Sequence, residues 1–243
     1  MKTIPILPAG RKPAAGDGIR LPALPPLALY VHFPWCVRKC PYCDFNSHEA
    51  RASGIPEDDY VAALIADLDS ALPDIWGRPV VSVFFGGGTP SLLTGRAVDN
   101  LLAAFRARLP LLPGAEVTLE ANPGAADAGR FADYRAAGVD RLSVGIQSFD
   151  DGWLAALGRI HDSREARRAI ELARRHFDNL NLDLMYGLPG QDPAGAARDL
   201  TTALGFVPEH LSAYHLTLEP NTPFHRQPPP LPDPDLAADM QDQ

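Results

Sequence analysis

All three cysteines of this chain fall in one short stretch, Tyr30-Val31-His32-Phe33-Pro34-Trp35-Cys36-Val37-Arg38-Lys39-Cys40-Pro41-Tyr42-Cys43. The spacing C-x3-C-x2-C, with no thiol elsewhere, is that of a ligand set. Thiolates select zinc or iron–sulfur clusters, and a cubane [4Fe-4S] cluster held by three cysteines keeps one iron open to a small chelating molecule. Other readings stay open. A disulfide framework wants an even count and an oxidising compartment. A structural zinc site needs a fourth ligand, for which His32 or His48 would serve, although zinc loops usually pair C-x2-C with a second, distant pair. Inert cysteines packed in a core are the third alternative.

A ligand loop needs a frame. Apolar β-rich runs alternate with helical patterns, and the spacing predicts strands at 27–33, 80–85, 116–120, 141–146, 179–185 and 210–218. Helices are predicted near 57–72, 95–109, 126–137, 164–177 and 193–206. In the second helix Val98, Leu101, Leu102, Phe105 and Leu109 recur at helical spacing, one face of the cylinder. Strict βα alternation demands a parallel sheet with right-handed crossovers. The expected fold is α/β, an open, partial (β/α)6 TIM-like barrel, with a doubly wound sheet as the alternative. In both, ligands sit beyond the C-terminal ends of the strands.

The residues that could do chemistry gather at those ends. The first strand runs into the cysteines and the second into Gly86-Gly87-Gly88-Thr89-Pro90-Ser91, which lacks the dinucleotide fingerprint. Three glycines give bare backbone that a ligand can approach, or simply a tight turn. Glu120 could pair with a hydroxyl or ammonium, and Gln147 suits a hydrogen bond to a ligand edge. Asp183 lies in an alternating strand, where an inward carboxylate is costly unless paired. Arg159 is a cation just past the fourth strand, and Thr217 and Glu219 close the sixth. Tyr42 could stack on an aromatic face, and Tyr30 could present its hydroxyl. Each also reads as an ordinary polar residue. The seven histidines show no ligand spacing to one another.

At 243 residues with net charge -8, the chain can bury one large core, and its acidity argues against a nucleic-acid partner. No apolar run approaches the roughly 18–20 residues of a membrane span, which leaves at most a peripheral membrane association. Reduced thiols without an export pattern lead to an expected cytoplasmic location. Residues 1–26 are expected to be a Pro-rich flexible lead-in, 27–226 the core, and 227–243 a Pro/Asp-rich linker to a C-terminal domain absent from this sequence.

Tyr-Val-His-Phe-Pro-Trp-Cys through Cys-Asp-Phe-Asn-Ser, then Gly-Gly-Gly-Thr-Pro-Ser, Gly-Ile-Gln-Ser-Phe, Asp-Leu-Met-Tyr-Gly-Leu-Pro-Gly-Gln and Leu-Glu-Pro-Asn-Thr-Pro-Phe appear in this order. Together they resemble the HemW branch of the oxygen-independent coproporphyrinogen III dehydrogenase-like family of radical S-adenosylmethionine (SAM) proteins. The resemblance implies a [4Fe-4S] cluster on Cys36, Cys40 and Cys43, with SAM on the open iron. It implies SAM contacts at Tyr30, Gly87, Gly88, Thr89, Glu120, Gln147, Arg159 and Asp183. Tyr42 and Thr217 align only with a second SAM of the dehydrogenase branch. That branch carries a further cysteine where this chain has Phe45, in Cys43-Asp44-Phe45. The Cys-Asp-Phe form implies a heme chaperone, with heme as cargo passed to respiratory acceptor proteins; no catalytic residue is assigned. The alternative is oxygen-independent coproporphyrinogen III dehydrogenase, a radical oxidative decarboxylation in porphyrin biosynthesis. The family also continues into a region with a His-Asn-x-x-Tyr-Trp motif linked to heme binding, which this sequence does not contain.

Overall fold

The computed structural model describes residues 24–123 and 130–243. β1 (Leu27–Phe33) leads into a short parallel pair, β2 (Trp35–Cys36) with β3 (His48–Glu49), which closes the cysteine loop at its base. There follow α1 (Glu57–Ile75), β4 (Val80–Gly87), α2 (Gly95–Arg108), β5 (Leu111–Ala121), α3 (Phe131–Ala137) and β6 (Arg141–Gln147). The chain continues through α4 (Asp151–Ala156), α5 (Ser163–Arg174), β7 (Asn179–Tyr186), α6 (Pro193–Leu204), β8 (His210–His215), α7 (Pro223–Arg226) and α8 (Pro234–Gln241).

The six long strands form one parallel sheet in the order β1-β4-β5-β6-β7-β8. Each of these strands lies beside the next one in the chain. A doubly wound sheet would reverse its order at a switch point, so the order is that of the partial barrel expected from the alternation.

Period-two patterning divides the chemistry of the sheet. Val31, Val83, Leu119, Val144 and Leu182 take one face and pack against helix residues such as Leu101, Phe105, Phe131 and Ile170 in one continuous core. The other face carries Glu120, Ser143, Asp183 and Tyr214 into a cavity. Helix starts are fixed locally. Thr94 caps α2 through the Ala97 N–H, and Asp162 with Glu165 forms a capping box on α5. Glu57, in the first turn of α1, accepts from both the N–H and the hydroxyl of Thr94, tying α1 to the start of α2.

The structure departs from the expected elements in several places, and β2, β3, α4 and α7 are additions to them. β5 begins at Leu111 and not at 116. β8 ends at His215, so residues 216–218 leave the sheet. α3 begins at Phe131; the start of the helix expected at 126–137 lies partly outside the described residues, as does most of the lead-in. Finally, 227–243 contains α8, capped by Asp233 with Pro234 at its start, and Met240 is buried as the helix packs on α6 and β7.

The core prediction is direct. Leu142→Ala, at a fully buried position, should lower unfolding free energy by about 2–5 kcal/mol in urea titration. Trp76→Ala, at a residue 75% exposed, should change it by no more than about 0.5 kcal/mol.

Candidate functional site

The cysteine loop is a closed structure. Beyond the β2–β3 pairing, His48 N–H donates to Pro34 O at 2.7 Å and Ala50 N–H to Cys36 O at 2.8 Å. Lys39 works from inside: its ammonium donates to Phe45 O at 2.9 Å and Ser47 O at 3.0 Å, and its backbone N–H to Glu49 Oε1 at 3.1 Å. His32 ties the loop to β1, with Nε2 2.8 Å from Asn46 O and Nδ1 3.2 Å from the Tyr30 hydroxyl. On the far side Phe224 N–H donates to Pro41 O at 3.1 Å, bringing α7 onto the loop.

The glycine turn after β4 sits under this loop. Gly88 N–H donates to Phe33 O at 2.6 Å, Thr89 N–H to Trp35 O at 2.7 Å, and Gly87 N–H to Glu120 Oε2 at 3.2 Å. The turn therefore has no free N–H between 87 and 89. What the glycines provide is close approach of backbone to backbone. A Cβ on Gly88 would lie 2.5 Å from Trp35 O, and one on Gly87 2.8 Å from the His32 ring.

Loop and turn form one wall of a cavity of about 360 Å³. Cys36, Cys40 and Cys43 line it with Gly87, Gly88, Thr89, Glu120, Gln147, Arg159 and Asp183, and so do Tyr42 and Thr217. Tyr30 does not. It stands 59% exposed on the sheet, stacked near Phe84 and bonded to His32. Thr217, expected on the last strand, lies beyond β8 and donates to Glu219 Oε1 at 2.7 Å.

Arg159 organises the middle of the cavity. Its guanidinium reaches Cys40 Sγ at 3.6 Å and Gly145 O at 3.0 Å, and it also donates to Asn122 Oδ1. Asn122 in turn donates to Thr89 Oγ1 at 3.1 Å, linking the second and third strand ends to the fourth. Asn122 follows Glu120 by two residues just past the end of β5, and no signal in the sequence marked its role. Arg159 Nε is buried without a partner among the described residues. Tyr42 lies beside Arg159 and Cys40, its ring 6.4 Å from Phe224, and burial raises its hydroxyl well above the usual phenol range. His161 is pushed down to about 4 by burial and by the nearby Arg159 charge, and its Nε2 lies 3.1 Å from Ile146 O.

Among the carboxylates that line the cavity, Glu120 and Asp183 stand on the sheet, with no cation bonded to either among the described residues. Burial and the neighbouring Asp183 push Glu120 up to about 7, with the Gly87 N–H opposing. Asp183 is raised mainly by burial, against hydrogen bonds from Ser143 Oγ and Asn181 Nδ2, both at 2.8 Å. Ser212 extends the network through Asn181 Oδ1 at 3.0 Å. The expected pairing of Asp183 is thus met by polar neighbours and not by an ion. Ser143, Met185, Tyr214 and His215 also line the cavity, and nothing in the sequence marked them beyond their places on β6 to β8.

A family model described as Radical SAM superfamily matches residues 30–200. The chain belongs to the radical SAM superfamily. The heme chaperone HemW of Escherichia coli K12 is 54% identical over 221 residues, 90% of this chain and 58% of that protein. The bovine mitochondrial radical S-adenosyl methionine domain-containing protein 1 is 43% identical over 218 residues, 88% of this chain and 49% of that protein. Among solved structures, coproporphyrinogen III oxidase (HemN) from Escherichia coli, described as a radical SAM enzyme, superposes with a TM-score of 0.79 at 30% identity. It covers 89% of this chain and 51% of its own. This radical SAM chain therefore spans between about half and three-fifths of the length of these relatives.

The residues fit the groups that a radical SAM domain implies. No three His, Cys, Asp or Glu side chains among the described residues close on a single-ion site; a cubane asks for none, since each thiolate takes a different iron. The unpartnered Arg159 Nε suits a ligand carboxylate, and Glu120 suits an ammonium or sulfonium.

Two predictions follow from this geometry. Glu120 is raised in the folded protein, so its ionisation opposes folding from about pH 4.5 upward and fully above about 7. Glu120→Gln should leave stability unchanged below pH 4.5 and raise it by about 1–3 kcal/mol at pH 8, read from urea midpoints across pH. Lys39→Met removes the clamp on Phe45 and Ser47; the reconstituted protein should surrender iron to a chelator about threefold to tenfold faster at unchanged secondary structure.

Proposed function

We propose that this chain is the radical SAM barrel of a HemW-type heme chaperone. In this reading Cys36, Cys40 and Cys43 hold a [4Fe-4S] cluster, and SAM occupies the cavity against Gly87, Gly88, Thr89, Glu120, Gln147, Arg159 and Asp183. Heme is cargo for respiratory acceptor proteins, and the chain acts in the cytoplasm. The carrying observation is 54% identity over 90% of this chain to a protein named heme chaperone HemW, against 30% to the oxidase. Phe45 is 57% exposed at the cavity, at the position where the resemblance read from the sequence implies a further cysteine in the dehydrogenase branch. No helix among the described residues is long and apolar enough to cross a membrane.

When bound, the cluster supplies an iron with an open position and a low-potential electron. The chain supplies the rest. Glu120 would hold the ligand's ammonium end, and Arg159, with its unpartnered Nε–H, would hold the carboxylate. The Gln147 amide meets a polar ligand edge. Tyr42 and Thr217, on the same lining, extend the cavity toward α7.

The second reading, coproporphyrinogen III dehydrogenase, is favoured by the structural likeness to the oxidase. One set of assays separates the two. Anaerobic reconstitution should give about four irons and four sulfides per chain, abolished by Cys36→Ala, Cys40→Ala or Cys43→Ala. SAM should perturb the EPR signal of the reduced cluster. Coproporphyrinogen III should not turn over, even with cluster, SAM and reductant present, and heme should bind tightly only when the chain is extended to the length of its relatives. Multiple turnovers would overthrow the chaperone reading, and stoichiometric zinc without visible charge-transfer absorption would overthrow the cluster.

A further inference from the structure

Gln147 has a left-handed backbone, φ 67°, and its side chain lines the cavity. Glycine takes that conformation without strain, whereas a side chain disfavours it. Two residues earlier the chain has a glycine instead, where a Cβ would lie 3.0 Å from Gln147 Nε2. The pairing of β6 with β7 is also irregular between Gly145 and Gln147. The chain therefore keeps a side chain where the backbone alone favours none, and clears room for it. That pattern marks a side chain in use.

What fastens this turn lies outside the sheet. Asp199, on α6 and 5% exposed, accepts from Ser148 Oγ at 2.6 Å through one oxygen and from Phe149 N–H at 2.8 Å through the other. Ser148 is fully buried, and its hydroxyl oxygen also accepts from Asp150 N–H at 3.0 Å. Phe149 stacks on Phe206, with ring centroids 6.0 Å apart. The two residues after Gln147 are thus pinned to a helix that does not touch the cavity itself.

We propose that Asp199 is a positioning residue: by locking Ser148 and Phe149 it holds the Gln147 amide in place for the ligand of the cavity. The identity of that ligand as SAM rests on the reading above.

The test is a double-mutant cycle on anaerobically reconstituted protein, with SAM affinity measured by equilibrium dialysis beside iron content. Asp199→Asn should weaken SAM binding about tenfold at unchanged iron, because Asn cannot accept from both donors. Gln147→Ala should weaken it by a similar factor. The double variant should bind no more weakly than Gln147→Ala, as expected of two changes acting through one group. Losses that multiply, or an Asp199→Asn variant of unchanged affinity, would overturn the proposal. Should Asp199→Asn fail to fold, Ser148→Ala removes one of the two anchors and should show the same non-additivity with a loss of about threefold. A second readout needs no cofactor: in iron-free, glutamine-labelled protein, the Gln147 13Cα shift should carry the left-handed signature and lose it in Asp199→Asn. A signature that persists there overturns the positioning role. If the signature is lost but the wild type with its cluster binds no SAM, the positioning role stands and the cofactor reading falls.

Discussion

Two backbone hydrogen bonds, from Gly88 N–H to Phe33 O and from Thr89 N–H to Trp35 O, decide where the three thiols stand. They join the second strand end to the base of the cysteine loop, and they exist because position 88 has no side chain. A methyl group there would sit 2.5 Å from the Trp35 carbonyl oxygen, and backbone cannot yield that distance by rotating. The rest is built outward from this contact. The loop is cinched by Lys39 and by β3, while the turn hands Thr89 to Asn122 and thence to Arg159 at Cys40.

The sheet contributes by keeping two chemistries apart. One face of each strand is committed to the helices and buries apolar side chains, which supplies most of the stability. The other can then afford carboxylates, hydroxyls and amides that would be destabilising in a core. Asp183 shows the balance: burial raises it, yet Ser143 and Asn181 satisfy both of its oxygens without a counter-ion.

The parts of this architecture that the sequence made legible are those carried by periodicity or by unusual composition. The first strand was read with its observed limits, 27–33, because an apolar run there meets a proline and then the cysteines. The glycine turn was read as backbone laid bare for close approach or as a tight turn, and the backbone of the cysteine loop makes such an approach, since a run of glycines says that something approaches closely and not what. Tyr30 was placed at the cavity by the resemblance; β1 sets it on the sheet face that carries Glu120, where it bonds to His32 and stands largely exposed outside the lining. α8 was masked by its prolines and aspartates, although Asp233-Pro234 is a sound helix start. Asn122, Asp199 and Lys39 were beyond reach for one physical reason. Their roles depend on partners 6 to 51 residues away that only the folded chain brings together.

Glu120 carries a consequence for how the cavity fills. With its carboxyl pushed up to about 7 by burial and by Asp183, Glu120 carries a proton in part of the molecules at neutral pH. A cationic group arriving beside Glu120 evicts that proton, so occupancy of the site acidifies the solvent. The heat of filling would then vary with the ionisation enthalpy of the buffer, and proton count would become a register of what charge the occupant brings.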